Sequence, residues 1–141
     1  MSTYVDASFL VSLYLTDHHV QEAERLMAET PTIWLTPFHV AEWTHAVEQH
    51  VFRGELSRTE AHRYHERFQQ HRESGLWIEV ALPDSVFDLC ADLARRHAAR
   101  LGVRTLDTLH VACALELKAE RFWTFDDRQK KLARAVGLKT A

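Results

Sequence analysis

Apolar positions along the chain alternate between strand-like runs and helical stripes, and the changes of period mark its elements. Thr3-Tyr4-Val5 is a short β-branched and aromatic run that reads as a first strand ending at Asp6. Ser8 is expected to cap a helix carrying Phe9, Leu10, Val11, Leu13 and Tyr14. Val20, Ala23, Leu26 and Met27 share one face of a second helix, predicted from His19 to about Glu29 and stopped by Pro31. Residues 32–36, Thr-Ile-Trp-Leu-Thr, predict a second strand. Pro37 suits the first turn of a helix that carries Val40, Ala41, Trp43, Ala46, Val47 and Val51 and ends near Gly54.

Ser57-Arg58-Thr59-Glu60 has the spacing of a capping box and opens a long polar helix to about Ser74, ended by Gly75. Leu76 to Val80 predicts a third strand, and Pro83-Asp84 starts a helix that buries Val86, Leu89, Cys90, Leu93 and Ala94. After the break at Gly102, Thr105 is expected to cap a helix with the stripe Leu106, Leu109, Ala112, Cys113 and Leu117. Arg121 to Thr124 predicts a fourth strand, residues 127–136 a last helix, and Leu138 to Thr140 a fifth strand. The order β-α-α-β-α-α-β-α-α-β-α-β predicts a three-layer α/β/α fold around a mainly parallel sheet of four or five strands. No repeat, linker or low-complexity segment interrupts it, so residues 1–141 are expected to form one domain.

Composition narrows the class. With 46% hydrophobic residues, 4 Gly and 3 Pro, the chain is not disordered. No apolar run approaches the roughly 20 residues that span a bilayer. The N-terminus lacks a basic stretch followed by an apolar one, which argues against a secretory signal. Cys90 and Cys113 sit in apolar helical settings without a Cys-x-x-Cys motif, as expected of reduced, buried thiols in a cytoplasmic protein. The net charge of −3 is unevenly spread. Residues 1–94 hold 6 Lys/Arg against 15 Asp/Glu, and residues 95–141 hold 11 against 5. That basic final third is equally a set of solvated helix faces or a source of phosphate contacts.

Four carboxylates carry the candidate chemistry. Asp6 and Asp126 stand directly after predicted strands, Asp107 in the first turn of its helix, and Glu42 one to two turns into the helix after the second strand. In open α/β sheets, ligand sites form beyond the carboxyl ends of the strands, so these helices can bring all four acids into one cleft. Each also has a plainer role, Asp6 as a helix cap, Glu42 as an exposed helix residue (although its neighbours Val40, Ala41 and Trp43 are apolar), Asp107 as a partner of the helix dipole, Asp126 and Asp127 as the start of the last helix. Oxygen ligands without cysteine suit hard cations, Mg²⁺ or Mn²⁺. One or two such ions can polarise a phosphodiester, activate a water and stabilise the leaving oxygen.

These segments resemble the PIN-domain family, most closely its VapC-type toxins of bacterial toxin–antitoxin pairs. The resemblance runs the length of the chain. It rests on Tyr4-Val-Asp-Ala-Ser-Phe-Leu10, Ala41-Glu-Trp43, Arg104-Thr-Leu-Asp-Thr-Leu-His-Val-Ala-Cys-Ala114 and Phe122-Trp-Thr-Phe-Asp-Asp-Arg-Gln-Lys-Lys-Leu-Ala133. It implies a Mg²⁺- or Mn²⁺-dependent endoribonuclease with Asp6, Glu42, Asp107 and Asp126 as the metal-binding acids. Ser8 and Thr124 would be supporting hydroxyls. It also implies an RNA substrate, a homodimer and a small cognate antitoxin that inserts a segment near the cleft. Two departures stand out: Thr108 replaces a common Ala, and the Asp126-Asp127 pair leaves two candidates for the fourth acid, of which Thr124-x-Asp126 favours Asp126. Arg104, Arg128 and Lys131 are candidates for holding flanking phosphates.

Other readings find less support. Glu42-Trp-Thr-His45 has di-iron bundle spacing but no second copy. His62 and His65 lie on a polar helix and are expected at its surface, and His110 is expected to pack rather than act. A haloacid-dehalogenase phosphatase wants an Asp where Ser8 stands. No glycine-rich phosphate loop and no Gly-x-Ser-x-Gly occur. The alternative in another class is a PIN-like module that binds RNA or protein without cutting. The aromatic helices between residues 37 and 74 would supply its surface, although Trp43 and Phe52 are expected in the core.

Overall fold

The computed structural model of the chain describes residues 2–15, 19–29 and 32–141. Its elements are β1 (Thr3–Val5), α1 (Ala7–Ser12), α2 (Val20–Glu29), β2 (Trp34–Leu35), α3 (Pro37–Phe52), α4 (Arg58–Glu73), β3 (Ile78–Glu79), α5 (Val86–Leu93), α6 (Ala99–Leu101), α7 (Thr105–Glu116), β4 (Arg121–Trp123) and α8 (Asp127–Ala135). One π-helical stretch, Ala94–Ala98, joins α5 to α6. Pro31, expected to stop α2, lies outside the described residues. The chain divides into two compact units, residues 1–6 with 81–141, and residues 7–80.

In the first unit β1 and β4 pair in parallel, with Thr3, Tyr4 and Val5 opposite Arg121, Phe122 and Trp123. All three β1 residues are buried, which fits their apolar and β-branched make-up. Tyr4 stacks on Phe122 with ring centroids 5.5 Å apart. The Tyr4 hydroxyl lies 2.7 Å from His110 Nδ1. Burial pushes the pKa of His110 down to about 3, so the ring is neutral at physiological pH. Helix α7 packs between α5 and α8, and its Val111, Ala112, Cys113 and Ala114 are buried. Small residues there let neighbouring backbones approach closely. Both cysteines are free and buried.

The second unit pairs β2 with β3, again in parallel, and gathers an aromatic core. Trp43 of α3 stacks on Phe68 of α4 at 4.1 Å, and Tyr14 meets both rings edge-on. The Tyr14 hydroxyl is 2.6 Å from His71 Nδ1. Helix α4 starts with the predicted capping box: Glu60 N–H donates to Ser57 Oγ, and Ser57 N–H donates to Glu60 Oε1. Helix α3 has an unforeseen one, in which His39 does the work of the usual Glu: Thr36 N–H donates to His39 Nδ1 at 3.1 Å.

Several expectations are corrected. The α/β class and the parallel pairing stand, but the described strands form two hydrogen-bonded pairs; β1 has its predicted bounds, while β2, β3 and β4 are shorter than predicted. The fifth strand reduces to a bridge between Arg121 and Lys139, where Phe122 N–H donates to Lys139 O at 2.8 Å. Gly137 at φ +93° turns the chain just before it. Helix α1 begins at Ala7, so Ser8 is inside it and exposed rather than capping it. Arg104 holds the cap position of α7, and no side chain closes it; Thr105 is already helical. Phe52 is 87% exposed, because it falls in the last turn of α3, beyond the face that Trp43 and Val47 bury. Leu106, 50% exposed, likewise lies in the first turn of α7, where the predicted stripe has not yet met its neighbours.

Candidate functional site

The carboxyl ends of β1 and β4 place two predicted residues side by side. Asp6 continues the ladder, its N–H donating to Trp123 O at 3.2 Å. The next residue of the other strand, Thr124, is therefore opposite it. Thr124 Oγ1 donates to Asp6 Oδ2 at 3.0 Å, and both residues are buried. A carboxylate that is 4% exposed needs such partners, because an unsatisfied buried charge costs several kcal/mol.

The same hydroxyl has a second task. Asp126 N–H donates to Thr124 Oγ1 at 3.0 Å, which folds the chain sharply after β4 and sets Asp126 at the start of α8. Asp126 Oδ1 then accepts from Gln129 N–H at 2.8 Å and caps the helix. The structure thus gives Asp126 the cap and makes Asp127 the first helical residue.

Asp107 arrives from α7. Gly102, at φ +68°, ends α6 in the left-handed conformation that glycine adopts without strain, and the chain turns there to begin α7. Asp107, in the first turn, shares an open cleft of about 230 Å³ with Asp126, Asp127, Gly102, Arg104 and Arg128. Arg104 Nε stands 3.5 Å from Asp107 Oδ2, but its side chain is 81% exposed, so the pair is screened and weak. Arg128 reaches Gly102 O at 3.4 Å.

Three predicted residues, Asp6, Thr124 and Asp126, are therefore linked by hydrogen bonds, and Asp107 shares a cleft with Asp126. Glu42 and Ser8 belong to the other unit. Glu42 is half-buried on α3, and burial raises its carboxyl pKa above the ordinary value, with the nearby charge of His39 opposing that rise. Among the described residues no group of three or more His, Cys, Asp or Glu side chains stands close enough to hold a metal ion. Asp6 is held by Thr124, Asp126 by the Gln129 N–H, and Asp107 faces Arg104. In kind, the donors fit a hard cation: Asp107, Asp126 and Asp127 offer only oxygen to the cleft, beside two guanidinium groups.

Sequence reasoning missed Gln129. This side chain is fully buried on α8, and its Nε2 donates to Asp107 O at 3.0 Å. The signal was present, since Asp126-Asp-Arg-Gln129 has capping-box spacing.

The PIN domain family matches residues 3–135. No curated protein matches in sequence. Among solved structures, the chain is similar to VapC20 of Mycobacterium tuberculosis, described as a Sarcin-Ricin loop cleaving toxin. That likeness has a TM-score of 0.71 at 18% identity, over 97% of this chain and 96% of that one. It is similar to VapBC2 of Rickettsia felis, bound to a DNA fragment from its promoter, with a TM-score of 0.66 at 16% identity, over 100% and 98%. It is also similar to a toxin–antitoxin complex from Klebsiella pneumoniae, with a TM-score of 0.58 at 12% identity, over 89% and 87%.

Proposed function

The chain belongs to the PIN-domain family and has its fold, and from that premise we propose that it is a metal-dependent endoribonuclease, the toxin of a type II toxin–antitoxin pair. The observation that carries this reading is the linked set at the strand ends. One hydroxyl, Thr124, holds the buried Asp6 carboxylate and the start of the helix that bears Asp126, and Asp126 shares a cleft with Asp107.

In this reading Asp6, Asp107, Asp126 and Glu42 are the acids that hold Mg²⁺ or Mn²⁺, with Ser8 and Thr124 in support. When bound there, such a cation would supply Lewis acidity toward the phosphodiester and lower the pKa of a coordinated water. Thr124 keeps Asp6 oriented, and the Gln129 N–H keeps one oxygen of Asp126 fixed. Arg104 and Arg128, at the same cleft, neutralise phosphates of a bound RNA strand. The match across residues 3–135 supports reading both compact units as one domain.

The partners we propose are RNA, a cognate antitoxin and a second copy of the chain. The Klebsiella structure, described as a toxin–antitoxin complex, supports the antitoxin. Two free, buried thiols support work in the reducing cytoplasm. No helix among the described residues is long and apolar enough to cross a membrane.

The test is incubation of the purified protein with assorted RNAs, with Mg²⁺, with Mn²⁺ and with chelator, beside Asp6→Asn. Cation-dependent cleavage that the variant loses supports the reading. RNA bound but left intact under every condition would sink it in favour of a PIN-like binding module.

A further inference from the structure

Gln129 stands at the junction of the two helices that present acids to the cleft. In an ordinary capping box the Gln three residues into a helix turns back and accepts from the N–H of the cap residue. Here that N–H, of Asp126, is already donated to Thr124 Oγ1. The Gln129 side chain is released from the cap and reaches across to α7, where its Nε2 donates to the backbone carbonyl of Asp107. Its own backbone N–H meanwhile holds Asp126 Oδ1. One residue thus grips the main chain at one cleft carboxylate and the side chain of the other. Because a carbonyl accepts and never donates, the contact also fixes which end of the amide faces Asp107.

We infer that Gln129 is a positioning residue, which sets the separation of Asp107 and Asp126 and so the affinity of their cleft for a divalent cation. The inference rests on the metal-dependent reading of that cleft. Groups that orient ligands from behind typically change metal affinity ten- to a hundredfold when removed. A packing role makes a different forecast. Gln129 Oε1 is buried and meets no donor among the described residues. Replacement by Met, similar in length and apolar, removes one hydrogen bond but also one buried, unpaired acceptor. The two effects oppose each other, so thermal stability changes little while the tie to α7 is lost.

Mn²⁺ affinity of the full chain, measured by titration calorimetry and by electron paramagnetic resonance, separates these roles. The variants are Gln129→Met, Gln129→Glu, Asp107→Asn and, as a packing control on the same buried face of α8, Leu132→Val. The expected result is Mn²⁺ affinity at least tenfold weaker in Gln129→Met, with a melting temperature no lower than that of Leu132→Val, which keeps wild-type affinity. Gln129→Glu sets a carboxylate against the Asp107 carbonyl and weakens affinity at least as much. Wild-type affinity in Gln129→Met overturns the inference and leaves the nuclease reading standing. A wild-type chain that binds Mn²⁺, loses it in Gln129→Met and cleaves no RNA overturns the nuclease reading and leaves Gln129 in its role. A wild-type chain that binds no Mn²⁺ overturns both.

Discussion

The hydroxyl of Thr124 donates to the carboxylate of Asp6 at 3.0 Å, across 118 positions of sequence, because β1 and β4 lie next to each other in parallel register. The same oxygen accepts the N–H of Asp126. Thr124→Val keeps the shape and removes both bonds. We expect it to cost about 1–3 kcal/mol, since it leaves a buried carboxylate short of a donor. At roughly 3–4 °C per kcal/mol for a chain of this length, that is a fall of about 3–12 °C in melting temperature by differential scanning calorimetry. Thr124→Ser, which restores the hydroxyl, is expected to recover most of it.

Asp6→Asn should abolish metal-dependent RNA cleavage in a gel assay and leave the circular-dichroism spectrum unchanged. The amide oxygen can still accept from Thr124, so the strand ends stay joined while the charge is lost. Undiminished cleavage by this variant rejects the assignment of Asp6.

Arg104→Ala is expected to weaken RNA binding with little effect on stability. Its pairing with Asp107 is solvent-exposed and worth at most about 1 kcal/mol, so its loss lowers the melting temperature by no more than about 4 °C. As a phosphate contact its removal lowers the salt dependence of binding by about one unit of slope in log K against log [salt], measured by fluorescence anisotropy.

His110 makes stability depend on pH. Its pKa in the folded protein is pushed down to about 3 by burial, against an ordinary value near 6.5. Below about pH 6.5 the unfolded chain takes up a proton that the folded chain refuses, so stability present above that pH is lost progressively as pH falls toward 3. Urea unfolding at pH 7.5, 5.5 and 4.5 should show this decline. His110→Gln, which carries no titrating group, should be less stable than the parent at pH 7.5 and show a shallower decline.

Trp43→Ala is expected to destabilise the fold more than any of these substitutions. Trp43 is fully buried and stacked on Phe68 at 4.1 Å, and such truncations cost about 3–5 kcal/mol. The expected fall is about 10–20 °C in melting temperature by the same scaling, read by differential scanning calorimetry.

Local chemistry was enough to read the helix starts at Pro37 and Ser57, the stop at Gly75 and the buried setting of the two cysteines from the sequence. Each is decided by a few neighbouring residues: a capping oxygen, a missing N–H, a glycine tolerant of positive φ. The ordered run of motifs likewise carried the family resemblance, which needs residue types in order and no coordinates. What needed the folded chain was every relationship across long separations. The exposure of Phe52 and Leu106 depended on where each helix stops meeting its neighbours, which helical period alone does not specify. The fifth strand shrank to a bridge because strand length is set by the partner as much as by propensity. Gln129 had the spacing of a local cap, and only the prior claim of Thr124 on the Asp126 N–H sent its side chain to Asp107. Hydrogen bonds are exclusive, so which local option is used is settled by whichever partner the tertiary fold brings within reach.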